Sequence, residues 1–277
     1  MPFKFFVAGC QRSGTTMLRL VLDSHPNIRC FDESISYDYL SGRTGIPASA
    51  DDKPDLVEAI GFKIPRFSEQ LTWKEQIDPD YGSFSSFFKR EKTLFVVRDV
   101  YDVVSSMMSL NAGTSQTWVE RYAAQILRKT LPFNPYKKEF ARKLSLLEQS
   151  LLPIHLVGAF YWEVKNQGLL ALKTGGFDVL PLSYEAFVND PRPHLESIVK
   201  FLGVSWSDEL LNHHSLEHNE LDENGMAIGN TDPRRAIDSS SVGRGRFVLS
   251  KEQHNDIRPF VENTLFALID AGLCHDI

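Results

Sequence analysis

The stretch FKFFVAGCQRSGTTMLRLVLDSHP, residues 3–26, decides the architecture. Phe3 to Ala8 is short, aromatic and β-branched and stops at Gly9, the pattern of a buried strand. From Thr15 to Ser24, Met17, Leu18, Val21 and Leu22 recur at helical spacing, and His25-Pro26 ends the run. The turn between them, Gly9-Cys10-Gln11-Arg12-Ser13-Gly14-Thr15-Thr16, matches G-x-x-x-x-G-K-[ST] everywhere except at the lysine, where Thr15 stands. Backbone N–H groups of such a loop, with a helix N-terminus behind them, form a concavity for phosphate oxygens. The missing lysine is the one that meets β- and γ-phosphates, so one doubly charged phospho-group suits this loop better than a magnesium-bound triphosphate. Read alone, the same residues also describe a simple strand–helix turn capped by Ser and Thr.

Outward from this unit the alternation continues. Ile60 to Ile64, Thr93 to Val97 and Phe177 to Leu182 read as strands. Helices are expected over Val100–Leu110, Trp118–Lys129, Lys137–Ser150, Phe160–Leu172, Pro191–Leu202 and Lys251–Ala271. Buried strands alternating with helices predict an α/β fold, a mostly parallel sheet covered on both faces. No repeat or linker divides the 277 residues, so one domain over 1–277 is expected. The polar stretch from about Ser215 to Gly245 is long for a loop, and such loops are often functional.

Composition narrows the class. The chain is long enough to bury a full core without disulfides or metal. Its 30 Lys+Arg against 36 Asp+Glu give a net charge of −6, which argues against a nucleic-acid backbone as partner but permits a local basic site. Three scattered cysteines form neither a disulfide framework nor a zinc spacing. The longest uncharged apolar run, Leu151 to Trp162, is short of the ~20 residues that span a bilayer, and the first residues do not read as a signal peptide. A cytoplasmic location is expected.

A second charged turn follows the strand at Thr93. In VRDVYDVVSS, residues 97–106, Arg98 stands at a strand's C-terminal end, where open α/β sheets bind ligands, and Ser106 lies two turns into the next helix. An Arg–Asp helix cap is the plain alternative, but two phosphate-shaped turns at one sheet edge are harder to explain that way.

RSGTT before a helix ending in HP, then VRD with serine eight residues on, resembles the sulfotransferases that use 3′-phosphoadenosine 5′-phosphosulfate (PAPS). Nearly the whole chain takes part. RSGTTMLRLVLDSHPNIRCFDES, LSYEAFVNDPRPHLESIVKFLGVSWSD and the late NTD are similar to the tyrosylprotein branch. The resemblance implies a three-layer P-loop-like fold, with a central mostly parallel sheet flanked by helices. It implies that Arg12, Ser13, Gly14, Thr15 and Thr16 hold the 5′-phosphosulfate and that Arg98 and Ser106 hold the 3′-phosphate. Tyr184 would lie near adenine, and VGRGR, residues 242–246, with Gly243 and Arg244, would close over the nucleotide. Gly245 departs from the tryptophan that the family often carries there.

The same resemblance makes Glu33 the general base, with Asp32 as fallback, and gives Lys63 and Arg12 the charge that builds on the transferring and leaving groups. It implies PAPS as co-substrate, adenosine 3′,5′-bisphosphate (PAP) as product, and no metal. Ile35 stands where the tyrosylprotein branch carries an arginine that reads acidic peptides, so a small-molecule, saccharide or lipid hydroxyl is expected ahead of a peptide tyrosine. Oligomeric state stays open. The competing functions are a P-loop kinase, which would want a loop lysine and magnesium ligands, and a module that binds the bisphosphate without turnover.

Blander readings stand beside these. Glu33 after a loop reads as solvated, and Lys63 between Phe62 and Ile64 as a strand-edge lysine. His213, His214 and His218 contain an i, i+4 pair but no complete ligand set, so surface histidines are expected. Lys137, Lys138, Arg142 and Lys143 read as a solvated basic helix face. Tyr37, Tyr39 and the cluster Phe84, Phe87 and Phe88 are candidates either for an acceptor pocket or for core.

Overall fold

The computed structural model describes residues 2–40, 44–45, 57–65, 91–111, 115–133 and 137–274. The strands are β1 (Phe3–Gly9), β2 (Ile28–Phe31), β3 (Ala59–Lys63), β4 (Lys92–Val97) and β5 (Val179–Ser183). They form a five-stranded sheet in the order β2-β3-β1-β4-β5. Every pairing is parallel, with Phe6 opposite Phe62 on one side of β1 and opposite Thr93 on the other. The α-helices among the described residues are α1 (Thr15–Ser24), α2 (Glu33–Leu40), α3 (Val100–Ser109), α4 (Ala124–Thr130), α5 (Ala141–Glu148), α6 (Ile154–Thr174), α7 (Tyr184–Asn189), α8 (Pro191–Leu202), α9 (Gly245–Val248) and α10 (Lys251–Asp270).

Side chains alternate across a strand, and that alternation divides the core. Phe5 and Val7, with Leu94 and Val96, face α1, α7 and α8. Phe6 and Ala8, with Phe95 and Val97, face α3, α6 and α10. Both faces are dry: Phe5, Val7, Ala8, Leu94, Phe95 and Val97 are fully buried. Burying a phenylalanine of this kind is worth about 1.5–3 kcal/mol, so the apolar strands fix the three-layer arrangement.

The four expected strands and the helices at Thr15, Val100, Pro191 and Lys251 lie where the pattern put them, within two residues at each end. Strand β2 was not expected. It is four residues long, sits at the sheet edge, and carries Arg29, which breaks its apolar run. That guanidinium is buried because it donates to both carboxylate oxygens of Asp23, at 3.1 and 2.9 Å. The helix expected from Phe160 starts six residues earlier, at Ile154 behind Pro153, and the one expected from Lys137 is reduced to Ala141–Glu148. The Trp118 helix opens as a π turn over Val119–Ala123. The last helix is closed at its start by a capping box between Ser250 and Gln253.

Because all strands run the same way, the loops after β1, β2, β3 and β4 and the start of α7 gather at one sheet edge. That edge holds Arg12, Asp32, Glu33, Lys63, Arg98 and Tyr184.

Candidate active site

The loop after β1 is shaped by two glycines. Gly9 (φ 150°) and Gly14 (φ 93°) have positive φ, and a Cβ on Gly14 would stand 2.5 Å from the Tyr184 ring. Arg12 is itself left-handed (φ 70°), a conformation that costs a side-chain-bearing residue of order 1–3 kcal/mol. Gly14 caps α1 without a side chain to offer, so the first N–H groups of that helix have no side-chain acceptor. Ser13 is fully buried and its Oγ has no partner.

Arg98, one residue beyond β4, joins three segments. Its Nη1 donates to the Arg12 carbonyl (3.0 Å), its Nη2 donates to the Ser241 carbonyl (2.6 Å), and its guanidinium carbon lies 4.3 Å from the Tyr184 ring centroid. Arg12 donates from Nε to Ser106 Oγ (3.0 Å) and from Nη1 to the Gly229 carbonyl (2.8 Å). Two guanidiniums are thus held together in a largely buried setting. Burial, and after it the charge of Arg98, holds the Arg12 pKa below its ordinary value, and Arg98 Nε is buried without a partner. Such an arrangement calls for an anion of more than one charge.

The late loop is docked through Asp102, one helical turn after Arg98. Its Oδ2 accepts the Gly243 N–H (2.8 Å) and its Oδ1 the Gly245 N–H (2.7 Å). Gly245 lies so close to α3 that a Cβ would stand 2.3 Å from the Tyr101 carbonyl carbon. The tryptophan expected from the resemblance has no room there; the backbone of α3 fills that space instead. Between the loops lies a cavity of about 310 Å³ lined by Arg12, Thr15, Thr16, Arg98, Tyr184 and Arg244, among others. Ser106 is turned to Arg12, and Ser13 and Gly243 are not among its lining residues.

On the other side of α1's first turn sits a second constellation. Lys63, at the end of β3, donates to Thr16 Oγ1 (2.7 Å) and Asp32 Oδ1 (2.9 Å) and pairs with Glu33 Oε1 at 3.0 Å. Lys63 is 1% exposed and β3 has a neighbour on each side, so it is no edge lysine. Glu33 is 8% exposed and opens α2, so it is not a solvated loop residue either. Asp32 accepts the Glu33 N–H at 2.7 Å. Thr16 belongs both to the cavity wall and to the lysine's shell, and so connects the two halves of the site.

Among the other candidates, Tyr37 is core, and Tyr39 stacks on Phe62 with centroids 4.6 Å apart while accepting from Lys4. Phe84, Phe87 and Phe88 lie outside the described residues. Lys143 is not solvated: it donates to Glu163 and to the Phe260 carbonyl. His213 is buried and lies in a short 3-10 turn, so no helical i, i+4 histidine face exists. Among the described residues no group of three or more His, Cys, Asp or Glu is arranged to hold a metal ion. Sequence reasoning gave Asp102, Ser241 and Gly229 no role. Asp102's place four residues after Arg98 was an available signal, whereas the two carbonyls leave no mark on a sequence.

The family model described as the sulfotransferase domain matches residues 2–265. The chain belongs to the sulfotransferase family. It is similar to Protein-tyrosine sulfotransferase 2 of Gallus gallus, 27% identical over 78% of this chain and 55% of that protein, so it spans about half of that relative's length. The fold of the sulfotransferase domain from the curacin biosynthetic pathway superposes with a TM-score of 0.58, at 16% identity, covering 95% of this chain and 98% of that one. Mouse sulfotransferase SULT7A1 complexed with PAP gives 0.52 at 14% identity, covering 95% and 84%. No helix among the described residues is long and apolar enough to cross a membrane.

Two outcomes follow for this sulfotransferase-family chain. Gly245→Ala drives a methyl group into the α3 backbone and should cost about 1–3 kcal/mol in urea unfolding. Burial, helped by the neighbouring His218 and His214, pushes the His213 imidazole down to about 4. The unfolded imidazole takes its proton near 6.5, so between these values the unfolded state binds more protons. Stability should therefore fall as pH drops from about 6.5 to about 4, by roughly 3 kcal/mol at most from this residue. In urea titrations the parent should lose that stability relative to His213→Leu as pH falls through the window.

Proposed function

We propose that the chain transfers the sulfuryl group of PAPS to an acceptor hydroxyl. The observation that carries this reading is Thr16, which lines a cavity holding Arg12, Arg98, Arg235 and Arg244 and whose hydroxyl accepts from the Lys63 that pairs with Glu33. Arg12 and Arg98 supply the charge for two separate phosphates, and the loop N–H groups and Thr15 and Thr16 hydroxyls supply the remaining donors. Support for the nucleotide also comes from mouse sulfotransferase SULT7A1, which shares the fold and is complexed with PAP.

The chemistry then divides by side chain. Glu33, within ion-pair distance of Lys63, takes the proton of the attacking hydroxyl. Lys63 and Arg12 meet the negative charge that grows on the transferring group and on the bridging oxygen as the S–O bond to the bisphosphate breaks. The loop holds the reacting atoms in line, which is a matter of positioning more than of covalent chemistry. Asp32 shares Lys63 but also caps α2 through the Glu33 N–H, a duty that keeps it from moving with the substrate proton. Ser13, Gly243 and Ser106 act behind the contact surface: Ser13 and Gly243 shape their loops, and Ser106 orients Arg12.

The acceptor is a small-molecule, saccharide or lipid hydroxyl in this reading. Ile35 packs against the core and gives acidic peptides no cation at that place. A kinase is disfavoured because Thr15 stands at the loop lysine. A binding-only module is disfavoured because the Lys63–Glu33 pair is not needed for holding a nucleotide.

Calorimetry in EDTA should show PAP binding more tightly than ADP. Each charged hydrogen bond to phosphate is worth about 1.5–3 kcal/mol, so Arg98→Ala should weaken PAP by one to two orders of magnitude and ADP far less. A preference for ADP that appears only with magnesium would sink the reading in favour of a kinase. Glu33→Gln should bind PAP like the parent and lose PAPS turnover by about 100-fold or more; an unchanged rate would remove Glu33 as base.

A further inference from the structure

One buried polar cluster is left over by the site above. Arg19 lies in α1, one turn beyond Thr15 and Thr16, and its side chain is fully buried. Its guanidinium must satisfy five N–H donors without water. Nε donates to the Cys30 carbonyl at the end of β2 (2.8 Å), Nη1 to the Asn219 carbonyl (3.3 Å) and Nη2 to Glu220 Oε1 (2.5 Å). The second oxygen of Glu220 accepts the backbone N–H of Asp32 at 3.0 Å. Asp32 in turn caps α2 and meets Lys63. Glu220 does this from a left-handed backbone (φ 62°), a strained conformation for a residue with this side chain.

Stability alone is a poor reason for such a cluster, since a buried ion pair is seldom better than the apolar pair that could replace it. An apolar pair, however, offers no acceptor to the Asp32 N–H. The carboxylate does, and by doing so it fixes where α2 begins. Glu33 is the first residue of that helix, so the clamp sets where its carboxylate stands relative to Lys63. The same late loop, nine residues on, presents the Gly229 carbonyl to Arg12.

We propose that Glu220, held by Arg19, is a positioning residue for the transfer: from the late loop it fixes the Asp32–Glu33 corner against Lys63. This rests on the sulfotransferase reading above. Glu220 touches neither substrate nor reacting atoms; it acts through the Asp32 amide.

The test uses the full chain and Glu220→Gln, whose amide keeps the shape but turns an NH2 towards one of two donors. Three readouts are compared with the parent: PAP affinity by calorimetry, turnover of PAPS with 4-nitrophenol or water, and hydrogen exchange at Asp32 and Glu33 without ligand. The expected pattern is turnover lower by about tenfold or more, since small misplacements near the reacting atoms are costly, with PAP affinity within about threefold and faster exchange at Asp32. Unchanged turnover, unchanged exchange, or turnover and affinity falling by a common factor would each overturn the proposal. Should Glu220→Gln fail to fold, Glu220→Asp keeps the charge but shortens the reach, and the same pattern in weaker form is expected. A parent that binds no PAP defeats the underlying reading alone; the exchange at Asp32 then still judges the clamp.

Discussion

The Arg98 guanidinium is the tie on which the loop edge of this molecule depends. It grips the Arg12 carbonyl in the first loop and the Ser241 carbonyl in the late loop while lying over the Tyr184 ring. These contacts come from three chain regions that share no secondary structure. A lysine in its place would offer a compact point charge with no flat face to lay on the ring, whereas the planar fork meets both carbonyls and the ring at once. Gly14 follows from the same packing, because the Tyr184 ring occupies the space a side chain would need.

Electrostatics separates the site from the rest of the chain. The protein carries a net charge of −6, yet Arg12, Arg98 and Arg244 meet at one cavity. The acidic groups at and near it are paired: Asp232 with Arg234, Asp238 with Arg235, Asp102 with the Gly243 and Gly245 amides, Asp32 with Lys63 and the start of α2. Beside the cavity, Lys63 lies within one hydrogen-bond length of Thr16 and of the Asp32 and Glu33 carboxylates.

The sequence made the strand–loop–helix unit legible because its punctuation is local: Gly9, Gly14 and His25-Pro26 act on their own neighbours. The alternation along β1 and β4 was legible for the same reason. What stayed hidden was set by partners far along the chain. Arg29 made β2 look like a loop until Asp23 was found beside it, and Glu33 looked solvated because nothing local announces Lys63. Pro153 did announce the true start of α6, but the apolar run from Phe160 was the louder signal. The candidate residues rest on the resemblance far more than on spacing, and carbonyl acceptors such as Ser241 and Gly229 depend on backbone path alone.

The reach of the late loop has a consequence for how the protein comes into being. Arg12 waits for a carbonyl 217 positions later, and Arg98 for one 143 positions later. During synthesis, which proceeds from the N-terminus, the sheet can begin to pair while both arginines remain without these partners. Contacts of such sequence separation form late, because the entropy of closing the loop must be met first. The sheet edge that carries Arg12 and Arg98 is therefore the last part of the molecule to be finished. Until then Arg12 and Arg98 stand without the late-loop carbonyls that fix their forks in the folded chain.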